Sequence, residues 1–166
     1  MIGAALRQAP AVRPDVFVRP ARPADMEAVA VLVNGFAAQN LMLPKSPEQL
    51  NRTFREFQIA TDRNGRFLGC GALRVFTPQL AEIVSLAVSP EAHGGGVGGQ
   101  IVEALVGDAE ALGIGAVFAL TLRPGFFDRL GFRTVEKEVF PQKVWADCSI
   151  CPKQQACDEI AVVREL

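Results

Sequence analysis

The chain has 166 residues, 49% of them hydrophobic, and a formal net charge of −1 at pH 7. This size and apolar share predict one globular domain with a sizeable core. Because 17 basic residues stand against 18 acidic ones, no charge excess favours binding to nucleic acid or to an anionic membrane surface. No apolar run approaches the ~20 residues of a membrane-spanning helix, so we expect neither nucleic acid nor membrane as a partner.

The N-terminal stretch over 1–14 has an apolar part that is too short for a secretory signal. We therefore expect a flexible arm over 1–14 and a cytoplasmic location. No internal repeat or low-complexity linker divides the remainder, which predicts a single domain over 15–166.

Hydrophobic periodicity predicts eleven elements in the order β-α-α-β-β-β-α-β-α-β-β. In chain order they are a strand over 15–21, helices over 23–36 and 46–54, two strands within 56–76, a strand over 80–90, a helix over 101–112, a strand over 115–122, a short helix over 124–130, and strands over 132–139 and 158–166. This order indicates an α/β fold built on one mixed sheet with helices on both faces.

Two local signals mark the ends of elements. Ser46, followed three residues later by Gln49, predicts a capping box at the start of the second helix. The dipeptide Asn64-Gly65 predicts a type I′ hairpin turn between the two strands within 56–76.

A glycine-rich loop joins the strand over 80–90 to the helix that follows. Residues 94–99 are all glycine except Val97. Glycine lets backbone N–H groups converge without a Cβ in the way, and a helix N-terminus adds partial positive charge. The loop is therefore predicted to hold a phosphate group. A merely flexible turn needs only one or two glycines.

Gly94, Gly96 and Gly99 match the G-x-G-x-x-G pattern of dinucleotide-binding folds by letter. That fold places the pattern after its first strand, with an acidic residue ~20 positions further on. Here about four strands precede the pattern, and the corresponding stretch VFALTLR offers no carboxylate. Gln100 stands where a P-loop needs Lys, so the sequence argues against both NAD and P-loop nucleotide binding.

The stretch LAVSPEAHGGGVGGQIVEAL resembles the acetyl-CoA-binding motif of the GNAT superfamily of N-acetyltransferases. In that motif an apolar strand leads to a basic or amide residue followed by x-x-G-x-G/A. His93, Gly96 and Gly98 take the motif positions, with His in place of the usual Arg or Gln. The strand order and the short element PGFFDRLGF are also similar. The resemblance implies acetyl-CoA as cosubstrate and a GNAT-type mixed, mostly antiparallel central sheet flanked by helices.

The same resemblance implies which residues hold acetyl-CoA. The strand end would pair with the pantetheine arm, the loop amides would hold the pyrophosphate, and an aromatic side chain of the short helix would pack near the thiol. The residues implied are Leu86, Ala87 and Val88 for pantetheine, His93, Gly94, Gly95, Gly96, Val97, Gly98 and Gly99 for the loop, and Phe127 for the thiol end. An ordinary core aromatic is the alternative for the last of these.

Glu82 is the only acidic residue within QLAEIVSLAVS, a largely apolar central strand. A carboxylate is costly to bury there unless it has a partner. We interpret Glu82 as the general base that takes the acceptor's ammonium proton, through water. The alternative is a strand-end residue that faces solvent or pairs with Arg74. Many members of the superfamily protonate the leaving thiolate with a tyrosine, which this chain lacks, so water or the substrate's own proton would serve, or the thiolate would leave unassisted.

Further stretches resemble the N-acetylglutamate synthase family in its short form, without an amino-acid-kinase domain. They are LMLPKS, AEIVSLAVSP, VFALTLRPGFFDRLGF and the tail FPQKVWADCSICPKQQACDE. The resemblance implies acetylation of the α-amino group of L-glutamate, for arginine biosynthesis. A substrate with two carboxylates needs cations around it, and the candidates are Lys45, Arg74, Arg123 and Lys143.

Cys148, Cys151 and Cys157 form a C-x2-C-x5-C pattern. The spacing suits zinc, but a closed structural site needs a fourth ligand, and the only histidine, His93, belongs to the glycine loop. We expect no metal and keep the three cysteines as weak candidates, with reduced thiols or one oxidised pair as alternatives.

Two other functions stay open at this point. One is acetylation of another amino acid or a small amine, and the other is a non-catalytic acyl-CoA-binding module. Superfamily members are often dimers, so a homodimer is compatible with the resemblance.

Overall fold

The computed structural model describes residues 15–140, 148–151 and 157–166, so the predicted arm over 1–14 lies outside the described residues. The strands are β1 Phe17–Pro20, β2 Phe57–Thr61, β3 Phe67–Thr77, β4 Leu80–Val88, β5 Ala116–Thr121, β6 Arg133–Val135 and β7 Ile160–Glu165. The α-helices are α1 Met26–Ala37, α2 Pro47–Thr53, α3 Val97–Ala111 and α4 Pro124–Asp128. Their order along the chain is the one predicted from the sequence. Within the described ranges, no helix is long and apolar enough to cross a lipid bilayer.

The strands form one sheet in the order β1-β2-β3-β4-β5-β7-β6. Only the β4–β5 pair is parallel, and every other neighbouring pair is antiparallel. The predicted mixed, mostly antiparallel sheet is therefore confirmed. β3 and β4 lie in the middle of this order, so the strand that carries Glu82 is central.

Helices cover both faces of the sheet, as predicted. On one face, α3 packs its apolar stripe against the sheet, and the buried residues there include Ile101, Leu105, Leu73, Ile83 and Val117. On the other face, α1 and α2 pack against β2 and β3, and the buried residues include Val29, Val33, Leu50, Ile59 and Ala72. Beside this second cluster, the ring of Phe118 stacks on that of Phe140 with centroids 4.1 Å apart. Apolar burial on both faces is the main force that holds the layers together.

The start of α2 is fixed by the capping box predicted from the sequence. The backbone N–H of Gln49 donates to Oγ of Ser46 over 3.2 Å, and the N–H of Ser46 donates to Oε1 of Gln49 over 2.8 Å. The neighbouring Lys45 is tied to α1, because the Asn34 amide side chain exchanges two hydrogen bonds of 2.9 Å with the backbone of Lys45. The position of Lys45 between two helices is thus set by backbone contacts.

The predicted type I′ turn at Asn64-Gly65 is wrong. A type I′ turn needs positive φ at both central residues, but only Gly65, at φ +79°, adopts it here. The carboxylate of Asp62 accepts hydrogen bonds from the N–H groups of Asn64 and Arg66, and the N–H of Gly65 donates to the carbonyl of Asp62. Asp62 therefore organises a longer hairpin loop in which glycine is needed only at the left-handed position.

Candidate active site

The sheet opens between β4 and β5. The two strands pair only at Leu80 with Ala116, Ala81 with Val117, and Glu82 with Phe118. β4 then continues to Val88 and β5 to Thr121 without further pairing between them. Beyond Glu82, β4 therefore pairs with β3 alone and presents its other backbone edge toward the opening. Leu86, Ala87 and Val88, the residues expected to meet the pantetheine arm, all lie on this edge.

A bulge interrupts β4 at the start of the opening. Cys70 of β3 stands opposite Ala87, whereas Ala72 stands opposite Val84, so three steps along β4 match two along β3. Ser85 within the bulge has φ +53°, in the left-handed region. The thiol of Cys70 lies 3.6 Å from the carbonyl oxygen of Ser85, and burial raises the pKa of that thiol to about 12. No sequence signal marks the bulge, because serine is not a residue that favours positive φ.

Glu82 is buried, with only 2% of its surface exposed. It stands in register opposite Arg74 of β3 and beside Phe118 of β5, and residues paired in this way point to the same face of a sheet. This face is the one covered by α1 and α2, since Ala72 and Val84 belong to that cluster. A buried carboxylate thus lies at the place where the sheet opens.

The glycine loop gives α3 an N-terminus with available donors. Gly94 and Gly96 have φ of +80° and +79°, and Gly96 is the residue that precedes the helix. The first hydrogen bond into the helix runs from Gln100 N–H to the Gly96 carbonyl. The N–H groups of residues 96–99 therefore have no acceptor inside the helix. A cavity of about 470 Å³ adjoins them, lined by Gly95, Gly96, Gly99, Gln100, Val18 and Leu130, with the Glu103 carboxylate at its wall.

The exposed ring of His93 is bound to the end of β4. Its Nε2 lies 2.8 Å from the carbonyl oxygen of Val88, so that nitrogen carries a proton and donates. The contact holds the first residue of the loop against the strand that leads into it. His93 therefore acts on the shape of the loop through a backbone contact.

The two aromatic residues of α4 occupy different environments. Phe127 is buried, 4% exposed, and its ring packs edge-on against Phe126 and Phe132. Phe126 is half-buried and lies beside the first turn of α3, where its Cζ atom is 3.3 Å from the point at which a Cβ on Gly98 would stand. The role assigned to Phe127 near the thiol stays a prediction, and the Phe126 ring lies close to Gly98 of the glycine loop.

A second cavity, of about 170 Å³, lies on the α1–α2 face beside the bulge. Lys45 and Arg74, two of the four predicted cations, line it together with Val84 and Ser85. Arg123, exposed at the start of α4, does not line this cavity. Lys143, the fourth predicted cation, lies outside the described residues.

Sequence reasoning missed the polar side of α2. Gln49, Arg52 and Thr53 of α2 line the second cavity together with Glu56 of the 3-10 turn that follows. Spacings of three and four residues place Arg52 and Thr53 on the same helical face as Gln49. That spacing was a usable signal, although the sequence does not say which wall this face forms. Burial raises the pKa of Glu56, whereas the positive charges of Arg74 and Lys45 act to lower it.

Among the residues whose side chains the structure describes, no group of three His, Cys, Asp or Glu that could hold a metal ion is found. Cys151 and Cys157 are thiols without a disulfide, and Nζ of Lys137 donates to Sγ of Cys157 over 3.2 Å. Cys148 begins a 3-10 turn that ends at Ile150. The three cysteines therefore remain the weak metal candidates that the sequence indicates.

The sequence of the chain matches the Acetyltransferase (GNAT) family over residues 33–132. The chain therefore belongs to the GNAT family of acetyltransferases, and the acyltransferase predicted from its glycine loop is confirmed at that level. An N-acetyltransferase of Chlorobaculum tepidum, itself uncharacterized, is 45% identical over 152 residues, which span 92% of this chain and 97% of that protein.

Two further similarities concern amino-acid acetylation. The amino-acid acetyltransferase of Mycobacterium tuberculosis is 39% identical over 121 residues, or 72% of this chain and 69% of that protein. The structure of N-acetylglutamate synthase from Neisseria gonorrhoeae, complexed with coenzyme A and N-acetyl-glutamate, is similar with a TM-score of 0.79 and 29% identity. That similarity covers 92% of this chain but 35% of the synthase, so this chain corresponds to about a third of that protein.

Proposed function

We propose that the protein is an acetyl-CoA-dependent N-acetyltransferase that acetylates the α-amino group of L-glutamate, with Glu82 as general base. The observation that carries the proposal is the position of Glu82. It is a buried carboxylate at the last paired residue before the sheet opens, in register with Arg74 of the cation-lined cavity. Supply of N-acetylglutamate to arginine biosynthesis in the cytoplasm is part of the same proposal.

The residues around the glycine loop fit coenzyme A. The N–H groups of residues 96–99 and the N-terminus of α3 suit a pyrophosphate. The open edge of β4 over Leu86, Ala87 and Val88 offers backbone groups to an extended pantetheine, as an added strand would. Acetyl-CoA supplies the acetyl group as a thioester, and the backbone of β4 beyond the bulge provides donors near the place where its carbonyl would lie.

The second cavity fits an amino acid with two carboxylates. Lys45, Arg52 and Arg74 bring three cationic side chains to one small volume, and guanidinium groups suit bidentate binding of carboxylates. Because Val84 and Ser85 of β4 belong to the same wall, an acceptor held there lies next to the opening of the sheet. The acceptor's amine would thus approach the thioester from the α1–α2 face.

The reaction requires a neutral amine. Glu82 accepts a proton from the acceptor ammonium through a water molecule, and the amine nitrogen then forms a bond to the acetyl carbon. The carbon–sulfur bond breaks and its electron pair leaves with the sulfur. The nitrogen becomes positively charged when this bond forms, and it must lose a second proton to become the amide. Since the chain contains no tyrosine, the proton for the thiolate comes from water or from this nitrogen. Thiolates are good enough leaving groups for this to suffice.

A panel assay tests the proposal. Release of free thiol from acetyl-CoA is measured with each of the common amino acids and with small amines as acceptors. The proposal expects the highest kcat/KM for L-glutamate and N-acetylglutamate as the product. A higher value for another acceptor would reject glutamate as substrate, and no release with any acceptor would indicate a binding module instead.

A further inference from the structure

The wall of the second cavity carries one carboxylate among its cations. Glu56 ends the 3-10 turn Phe54–Glu56 that follows α2, and it lines the cavity with Lys45, Arg52 and Arg74. A site that only had to attract carboxylates would have no use for it, because a like charge in the same volume weakens the binding of an anion.

We propose that Glu56 is a specificity-determining residue, which limits the positive charge of the acceptor cavity and thereby sets how strongly the site prefers a dicarboxylate to its monoamide. This inference rests on the proposed function and concerns the same site. Glu56 is a residue of the cavity wall and takes no part in the chemical step.

Charge balance supports the assignment. Among the described residues, three cations line the cavity, Glu56 lies with them, and Glu82 stands in register opposite Arg74. These five groups leave one net positive charge. Zwitterionic glutamate carries one net negative charge, whereas zwitterionic glutamine carries none. The cavity is thus matched to the dicarboxylate, and loss of the Glu56 charge would raise the excess from one positive charge to two.

The surroundings of Glu56 make its charge effective. Burial raises the pKa of this carboxyl, and the charges of Arg74 and Lys45 act against that rise. A carboxylate that has lost part of its water is less screened, so it acts more strongly on a neighbouring ligand. Arg55, the one cation of this turn, has its Cζ atom 5.2 Å from the ring centre of Phe54 and does not line the cavity.

The test compares L-glutamate and L-glutamine as acceptors for the wild type and Glu56→Gln. We expect the substitution to raise the ratio of kcat/KM for glutamate over glutamine about tenfold, as an unbalanced charge within a few ångströms would. The change should come mainly from a lower KM for glutamate. Glu48→Gln is the matched control, because Glu48 lies in the preceding helix α2 but does not line the cavity, and it should leave the ratio unchanged. Glu56→Asp keeps the charge, so its ratio of kcat/KM for glutamate over glutamine should stay close to that of the wild type.

Two results would overturn the inference. One is an unchanged ratio with KM raised equally for both amino acids, since Glu56 would then hold the ammonium group that they share. The other is a lower ratio in Glu56→Gln. If the wild type shows no turnover with either amino acid, the proposed function fails, and the ratio of their dissociation constants in the presence of coenzyme A decides the role of Glu56. If the wild type turns over and Glu56→Gln leaves the ratio of kcat/KM for glutamate over glutamine unchanged, only the role of Glu56 is rejected.

Discussion

Glu82 and Phe118 form the last pair that joins β4 to β5, and beyond them the two strands no longer pair. A carboxylate and an aromatic ring thus mark the point from which the sheet opens. The ring continues into the stack with Phe140, which keeps this end of the opening closed by apolar contacts. Glu82 is therefore bounded on its β5 side by aromatic rings.

Glu82→Gln is expected to lower kcat by about 10²- to 10⁴-fold, because the amide cannot accept the ammonium proton. Binding of coenzyme A should stay unchanged, since the loop over 94–99 and the edge of β4 are untouched. The measurement is thiol release at saturating glutamate, with Glu110→Gln as a control on the exposed side of α3. A Glu82→Gln enzyme within twofold of the wild type would remove the base role.

Substitutions of the two phenylalanines of α4 are expected to change different properties, with stability affected most at Phe127 and coenzyme A binding at Phe126. Phe127→Ala removes a buried ring and should lower the free energy of unfolding by about 3–5 kcal/mol. Phe126→Ala should cost less stability, but it should raise the dissociation constant of coenzyme A, because Phe126 packs beside the first turn of α3. Denaturant unfolding measures the free energy of unfolding, and calorimetric titration measures the dissociation constant of coenzyme A. If Phe127→Ala weakened binding at unchanged stability, the thiol-end role first assigned to Phe127 would gain support.

Gly69→Ala is expected to destabilise the protein by about 1–3 kcal/mol, because the new methyl group has no room. A Cβ at this position would stand 2.7 Å from the backbone carbonyl oxygen of Ala87, so β3 and β4 would have to move apart beside the opening. Gly107→Ala provides the opposite case. Nothing lies within 4 Å of a Cβ there, and the change should stabilise α3 by about 0.5–1 kcal/mol. Thermal unfolding measures the change in melting temperature for each variant, which should be negative for Gly69→Ala and positive for Gly107→Ala. Equal changes in the two variants would contradict the close approach at Gly69.

Cys70 is expected to make the protein less stable at high pH. The thiol is neutral when protonated, and burial raises its pKa in the folded state from the ordinary 9.0 to about 12. The contribution of this thiol to the free energy of unfolding is therefore fully present below pH 9. Above pH 9 it declines by about 1.4 kcal/mol per pH unit until the folded pKa is reached. Urea unfolding at pH 8 to 10.5 measures the decline, and Cys70→Ala serves as the reference because it removes this contribution. Parallel pH profiles for the two proteins would show that Cys70 has no part in it.

The elements of the fold followed from local patterns that act within a few residues. The capping box at Ser46, the glycine loop and the apolar face of α3 each depend on neighbours in the chain, so the sequence alone predicted them. The turn at Asn64-Gly65 was predicted wrongly because the Asp62 carboxylate competes for the same backbone groups. Arg74 and Glu82, whose pairing was considered only as the alternative to the base role of Glu82, stand in register because β3 and β4 follow each other in the chain and pair as a hairpin.

The parts of the site that were missed depend on contacts between distant elements. Arg52 and Glu56 line the cavity because α2 packs against α1 and the turn after α2 contacts β3, which no local pattern states. The bulge at Ser85 arises where β4 must pair with β3 on one side and leave β5 on the other. Phe126 and Phe127 differ only in the direction in which α4 presents them, and a helix of five residues has too little periodicity to settle that direction from sequence.

The bulge adds one residue to the chain that runs through the site. Before it, the even-numbered Glu82 and Val84 face α1 and α2, and after it the odd-numbered Ala87 faces the same way. Removal of Ser85 would therefore restore simple alternation and leave Glu82, Val84 and Ala87 on the α1–α2 side. That deletion would take away only the local bend and added twist that a bulge gives a strand. A one-residue insertion or deletion elsewhere in β4 that kept the bulge would instead turn one end of the strand over.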